Sequence, residues 1–226
     1  MLKAVLLDVD FTLFRPRPEL GPEGYGRIAA RHGLTLHPER YDDARLAAVA
    51  NLQRHPDFVH DEELWVAFTE QIVKGMGGVG DGARTCALDV VRQWERHENF
   101  FLYEDTLPTL EALRGAHLRI GLVSNGQRDL DAFARHHRLD VDVCVGSASH
   151  GRVKPHRSIF DAALAALEAQ PGEAAMVGDS YADDIEGARA LGMRAILLDR
   201  DGLHVDETDR IDTLLALPAA LGLSAA

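Results

Sequence analysis

Two carboxylic acids and a hydroxyl, Asp8, Asp10 and Thr12, stand directly behind the first apolar run of the chain, Ala4-Val5-Leu6-Leu7. Residues i and i+2 of a strand point to the same face. Buried carboxylates are rare unless they are paired or bound to metal, so a strand that ends in two acids and a hydroxyl is not built for packing. Polar groups follow three later apolar runs as well. Ser124-Asn125-Gly126 follows 120–123, and Gly146-Ser147 and a loop to Lys154-Pro155 follow 141–145. Gly178-Asp179-Ser180, with Asp183 and Asp184 close behind, follows 174–177. Taken singly, each has a plain explanation. Ser124-Asn125-Gly126 suits a turn and helix cap, Lys154 suits a solvated loop, and the late aspartates suit a first helical turn. Taken together, at four strand ends, they read as one site.

The chemistry of that site follows from its atoms. Carboxylates brought within ~4 Å repel by about 4 kcal/mol per pair at an effective dielectric near 20, and a divalent cation removes that cost. Ligands that are all oxygen favour Mg2+ over zinc, and Mg2+ commonly shares a substrate phosphate. A lysine, hydroxyls and backbone N–H groups suit the remaining oxygens of a phosphate, whose transfer needs positioning and charge neutralisation above all.

Five short apolar runs, 4–7, 119–123, 141–145, 174–177 and 194–198, read as buried parallel strands. Helical patterns at 107–114, 128–137, 158–169 and 183–191 lie between or before them, and 211–221 reads as a last helix. This alternation predicts an α/β fold, a doubly wound parallel sheet with right-handed crossovers. Ligands of such sheets bind beyond the carboxyl ends of the strands, where the acids stand. Residues 15–100 break the alternation, with four helical patterns (23–32, 38–54, 61–74 and 83–97) and no convincing strand. Pro38 and Asp61 suit helix starts, Gly33 and Gly75 helix stops. The predicted domains are therefore 1–14 with 101–226, and an all-α insertion at 15–100. The glycine-rich stretch at 75–80 lacks both the preceding strand and the Lys-Ser/Thr ending of a phosphate-binding loop.

The 226 residues carry a net charge of -12, which argues against nucleic acid and anionic membrane as partners. Arg135-His136-His137-Arg138 reads as a solvated helix end. No apolar run reaches the ~18 residues of a membrane span, and the start of the chain does not read as a signal peptide. Cys86 and Cys144 lack metal-ligand spacing and read as reduced packing residues, which suits a cytoplasmic protein. The eleven histidines show no pair spaced for zinc.

The motifs 8–12, Ser124-Asn125, Lys154-Pro155 and 178–188, in this order, resemble those of the haloacid dehalogenase-like (HAD) superfamily of hydrolases, in the branch with a helical cap inserted after the first strand of a Rossmann-like core. The resemblance spans nearly the whole chain. It implies a Mg2+-dependent phosphatase acting on a small phosphorylated metabolite through an aspartyl-phosphate. Asp8 would be the nucleophile and Asp10 the general acid and base. Thr12, Ser124 and Asn125 would bind phosphate, and Lys154 would neutralise charge. Mg2+ would sit on Asp8, the Asp10 carbonyl and Asp179, joined by Asp183 or Asp184. The alternatives are a 2-haloacid dehalogenase, against which Asp10 argues, a phosphonate hydrolase, for which Lys74 is the only lysine of the insertion, a phosphomutase, and a non-catalytic phospho-receiver. Candidate substrate contacts are Arg15, Arg17, Tyr25, Arg45, His55, Trp65 and Phe68, although Trp65 and Phe68 at i, i+3 read more readily as core of the insertion and Arg45 and His55 as solvated. A monomer or homodimer is expected. One departure stands out. Phe11 occupies a position where the family commonly has glycine, which tolerates positive φ as phenylalanine does not.

Overall fold

Runs of apolar residues between polar turns form the strands of the computed structural model, which describes residues 1–52 and 59–223. In chain order they are β1 (Ala4–Leu7), β2 (Phe14–Pro16), β3 (Phe100–Leu102), β4 (Arg119–Ser124), β5 (Val143–Gly146), β6 (Ala174–Gly178), β7 (Arg194–Leu198) and β8 (Arg210–Ile211). Six of them form one parallel sheet in the order β5-β4-β1-β6-β7-β8. All four residues of β1 are fully buried, as expected of a central strand covered on both faces. Its neighbours on either side, β4 and β6, come much later in the chain, so the strand order reverses at β1 and opens a crevice at its carboxyl end. Register aligns the exits: Leu7 stands opposite both Leu122 of β4 and Val177 of β6. Asp8, Ser124 and Asp179 therefore leave the sheet side by side.

The chain divides into two compact units, Met1–Arg15 with Leu102–Ala226, and Pro16–Phe101. The first unit is the α/β sheet domain, with helices at Thr106–Gly115, Leu130–His136, Arg157–Ala166 and shorter turns between strands. Ile159, Phe160 and Leu164 pack there against Leu6, Val123 and Met176. The second unit is helical, with Pro22–Arg31, Tyr41–Leu52, Glu62–Gly75 and Gly82–Trp94. Its core gathers Tyr25, Ile28, Ile72, Met76 and Val90. The short strands β2 and β3 pair with each other, at the two points where the chain passes from one unit to the other. Among the described residues no helix is long and apolar enough to cross a membrane.

Several expected elements are corrected. The strand predicted at 141–145 runs Val143–Gly146; just before it the Asp142 N–H donates to the Ile120 carbonyl at 2.8 Å, while the Ile120 N–H donates to the Asp142 carboxylate at 2.6 Å in place of a backbone carbonyl. The helix predicted over 128–137 begins only after Asp129, whose side chain caps it by accepting from Ala132 N–H. The helix predicted over 183–191 is a π-helical turn, Tyr181–Glu186, followed by Gly187–Ala190. The predicted tail helix 211–221 is not continuous. Ile211 belongs to β8, the sixth strand, and helical turns follow at Leu214–Ala216 and Leu217–Ala220. The helix predicted over 38–54 opens with a 3-10 turn at Pro38–Arg40, and its last two positions lie outside the described residues. The short strands β2 and β3 flank an insertion expected to hold no strand.

The start of the Thr106–Gly115 helix is tied to the C-terminal segment by one carboxylate. Asp105, 7% exposed, accepts from Arg200 Nη1 at 2.8 Å and Nη2 at 3.0 Å, Thr213 Oγ1 at 2.8 Å and Leu214 N–H at 2.9 Å. Burial favours its neutral form, but the Arg200 guanidinium, the Leu214 amide and the Thr213 hydroxyl together outweigh that and hold Asp105 below the usual carboxylate range. Asp105→Ala should cost about 3 kcal/mol in urea unfolding, because it leaves a guanidinium without its counter-charge. A depressed folded-state value means that the stabilisation is complete above the ordinary carboxylate range and is lost as pH falls through the lower folded value. Wild-type stability should therefore fall more steeply than that of Asp105→Asn below about pH 4.

Candidate active site

The carboxyl ends of β1, β4 and β6 and the loop after β5 deliver the polar residues singled out above. Asp8 is 7% exposed and Lys154 is 3% exposed, and the two meet: Lys154 Nζ donates to Asp8 Oδ1 at 2.5 Å, to Asp184 Oδ1 at 2.7 Å and to the Val123 carbonyl at 2.9 Å. All three ammonium donors are thus engaged, which makes a buried lysine tolerable. Burial works to strip its proton, but the carboxylates of Asp184 and Asp8 outweigh that effect and hold Lys154 above its ordinary value.

Asp8, Asp179 and Asp184 each bring a carboxylate oxygen within 4.8 Å of the others. Asp184 is fully buried. Besides the Lys154 pair it accepts from Ser180 N–H at 3.1 Å. A Cβ on Gly178 would lie 2.1 Å from Asp184 Oδ2, so this carboxylate occupies the space that any side chain at 178 would need. Burial, and then the charges of Asp8 and Asp184, push Asp179 well up. Its Oδ1 accepts from Thr12 Oγ1 at 3.2 Å. Three carboxyl groups crowd one ammonium here, and a divalent cation fits such an all-oxygen donor set and relieves the repulsion that raises Asp179. Asp183 stays outside this cluster. Burial raises its carboxyl, while the Lys154 charge and then hydrogen bonds from Ser180 and Asn125 oppose the rise.

Ser124 is 2% exposed and its Oγ has no hydrogen-bond partner among the described residues. A buried hydroxyl left in this way costs about 1–3 kcal/mol unless a ligand satisfies it. Asn125 braces the lysine. Its amide donates to the Lys154 carbonyl at 3.0 Å and accepts the Lys154 N–H at 2.6 Å, so its side chain holds the lysine backbone. Asp10 is half-buried and its Oδ1 accepts from Arg128 Nη2 at 2.8 Å. Burial raises Asp10, and Arg128 opposes the rise. Sequence reasoning missed Arg128 by counting it into a helix. The available signal was a basic side chain four positions past Ser124, in a loop that leaves the sheet beside two acids.

The residues expected to contact substrate are dispersed. Tyr25 is 2% exposed in the core of the helical unit, and Trp65 and Phe68 pack edge to face at 6.0 Å. The Arg17 guanidinium stacks 3.9 Å over Phe101, that of Arg15 lies 5.9 Å over Tyr103, and Arg45 is half-buried. His55 lies outside the described residues. Phe11 has φ 61°, the left-handed conformation that glycine would take without strain, and its side chain remains 38% exposed.

Known proteins of similar sequence and shape agree on the family. Its profile, described as haloacid dehalogenase-like hydrolase, matches residues 2–192. A phosphoserine phosphatase of Thermus thermophilus is 34% identical over 237 residues, covering 92% of each chain. Among solved structures, a HAD phosphatase from Thermococcus onnurineus aligns over 100% of both chains with 26% identity and a TM-score of 0.67. A 2-haloacid dehalogenase from Pseudomonas syringae pv. tomato aligns over 98% of this chain and 99% of its own, with 26% identity and a TM-score of 0.65. With its acids, lysine and hydroxyls gathered at the carboxyl ends of a six-stranded parallel sheet, the chain belongs to the haloacid dehalogenase-like hydrolase family.

Proposed function

We propose that the protein is a Mg2+-dependent phosphatase that hydrolyses a small phosphorylated metabolite through a phosphorylated Asp8. The observation that supports this most is the contact of Lys154 Nζ with Asp8 and Asp184 inside a cluster of three carboxylates. Such a centre holds a cation and a phosphoryl group together. The phosphatase relative from Thermus thermophilus points the same way. A haloacid dehalogenase is a near structural relative too, but Asp10 and the crowding of carboxyl groups favour phosphate chemistry.

Asp8, Asp179 and Asp184 would hold Mg2+, which when bound neutralises charge on the phosphoryl oxygens and on the nucleophile. Lys154 fixes Asp8 Oδ1 and leaves the other carboxylate oxygen to attack phosphorus. As the new P–O bond forms, the ester P–O bond breaks, and Asp10 gives its proton to the departing oxygen. Water then attacks the same phosphorus, Asp10 takes the water proton, the bond to Asp8 breaks, and inorganic phosphate leaves. Ser124 Oγ, buried and without a partner, and Thr12 would donate to phosphoryl oxygens. The helical unit takes the part of the cap and sets which leaving groups are accepted.

Asp8→Asn should abolish phosphate release from p-nitrophenyl phosphate, and turnover retained by that variant would overturn the nucleophile. Chelation with EDTA should stop turnover and added Mg2+ should restore it. Asp184→Asn should lower the apparent Mg2+ affinity at least about 10-fold, the scale of losing a metal-site carboxylate. Asp183→Asn should leave that affinity near wild type, as read from the Mg2+ dependence of kcat/KM.

A further inference from the structure

We propose that Arg128 is a positioning residue for Asp10, locking one carboxylate oxygen so that the other faces the ester oxygen of the substrate. This rests on the phosphatase reading above and deepens it. The Arg128 side chain is 3% exposed and ion-pairs with Asp10 Oδ1 at 2.8 Å. Its guanidinium lies 4.6 Å over the Phe133 ring, and Phe133 in turn packs edge to face on the fully buried Phe14 at 4.5 Å. A planar fork held between an aromatic face and a carboxylate has little freedom left, so the arginine holds the acid and is not carried about by it.

The second oxygen of Asp10 looks the other way. The position that a Cβ would take on Gly126 lies 3.9 Å from Asp10 Oδ2 and 3.5 Å from Ser124 Oγ. Those two atoms therefore border one small space, kept open by the lack of a side chain at Gly126. Ser124 Oγ is the buried hydroxyl without a partner among the described residues. A phosphoryl group bound by that hydroxyl would bring its ester oxygen toward Oδ2, with Oδ1 already committed to Arg128. A lysine cannot reproduce this arrangement, because an ammonium is a point charge without the planar fork that stacks on Phe133.

The test compares two phosphate esters that differ in their need for a proton. Nitrophenolate leaves readily without one, whereas the alkoxide of glycerol 2-phosphate does not. With Mg2+ present, kcat/KM reports the step in which the ester bond breaks. Arg128→Met and Arg128→Lys should lower kcat/KM for glycerol 2-phosphate about 100-fold, the usual scale of general acid catalysis. For p-nitrophenyl phosphate the fall should stay below about 10-fold on the same reasoning. If Arg128→Met does not fold, Arg128→Lys makes the comparison by itself. Equal falls on the two esters, or none, with an active wild type would overturn the positioning role alone. A wild-type protein inactive on both esters would overturn the phosphatase reading and this inference with it.

Discussion

A buried ammonium between two buried carboxylates is the constraint on which the site depends. Lys154 is admitted to the interior only because Asp8, Asp184 and the Val123 carbonyl accept hydrogen bonds from its ammonium, and removal of any one would leave a desolvated donor. Those partners come from the ends of β1 and β4 and from the helical turn after β6, so the ion pairs close only where these elements hold their register. The dependence runs both ways. Asn125, at the end of β4, holds both polar groups of the Lys154 peptide, and glycine at 178 leaves the space that the Asp184 carboxylate fills. Packing order and charge balance are here one requirement.

Much of the sheet was legible because its signal is local. A run such as 4–7 or 174–177 is apolar at every position, which only a strand covered on both faces requires, and turn residues mark its end. The acids at 8, 10 and 179 were legible for a related reason, since charge directly after such a run has no packing use. Other features escaped because their cause lies far along the chain. β8 exists because Leu197 and Leu198 offer it a ladder, which two residues, Arg210 and Ile211, do not announce. At the start of β5 the Asp142 carboxylate, not a backbone carbonyl, accepts from Ile120 N–H, 22 positions away. Asp183 and Asp184 could not be told apart in sequence, because the choice depends on the π-helical turn at Tyr181–Glu186, whose extra residue per turn changes which side chain faces inward.

Arg200 shows how far such a dependence can reach. It lies beyond the stretch matched by the family profile, which ends at residue 192, yet its guanidinium reaches back 188 positions to the Thr12 carbonyl at 2.9 Å. Thr106 Oγ1 and Tyr103 N–H both donate to the next carbonyl, that of Leu13, at 2.8 and 3.0 Å. The turn that bears Asp10 and Thr12 is therefore gripped by Arg200, Thr106 and the Tyr103 backbone. That grip turns a short surface turn into a fixed mount.

The same turn contains Phe11, and its backbone shape sets two opposing costs there. A side chain in the left-handed region at φ 61° loses about 1 kcal/mol against glycine. Glycine would relieve that strain but give back a similar amount, roughly 0.4–1 kcal/mol, in freedom of the unfolded chain. The two nearly cancel, so backbone shape alone does not decide between a ring and a hydrogen at position 11. What the ring touches decides it, and the weight of that choice falls on side-chain contacts while the turn itself stays neutral.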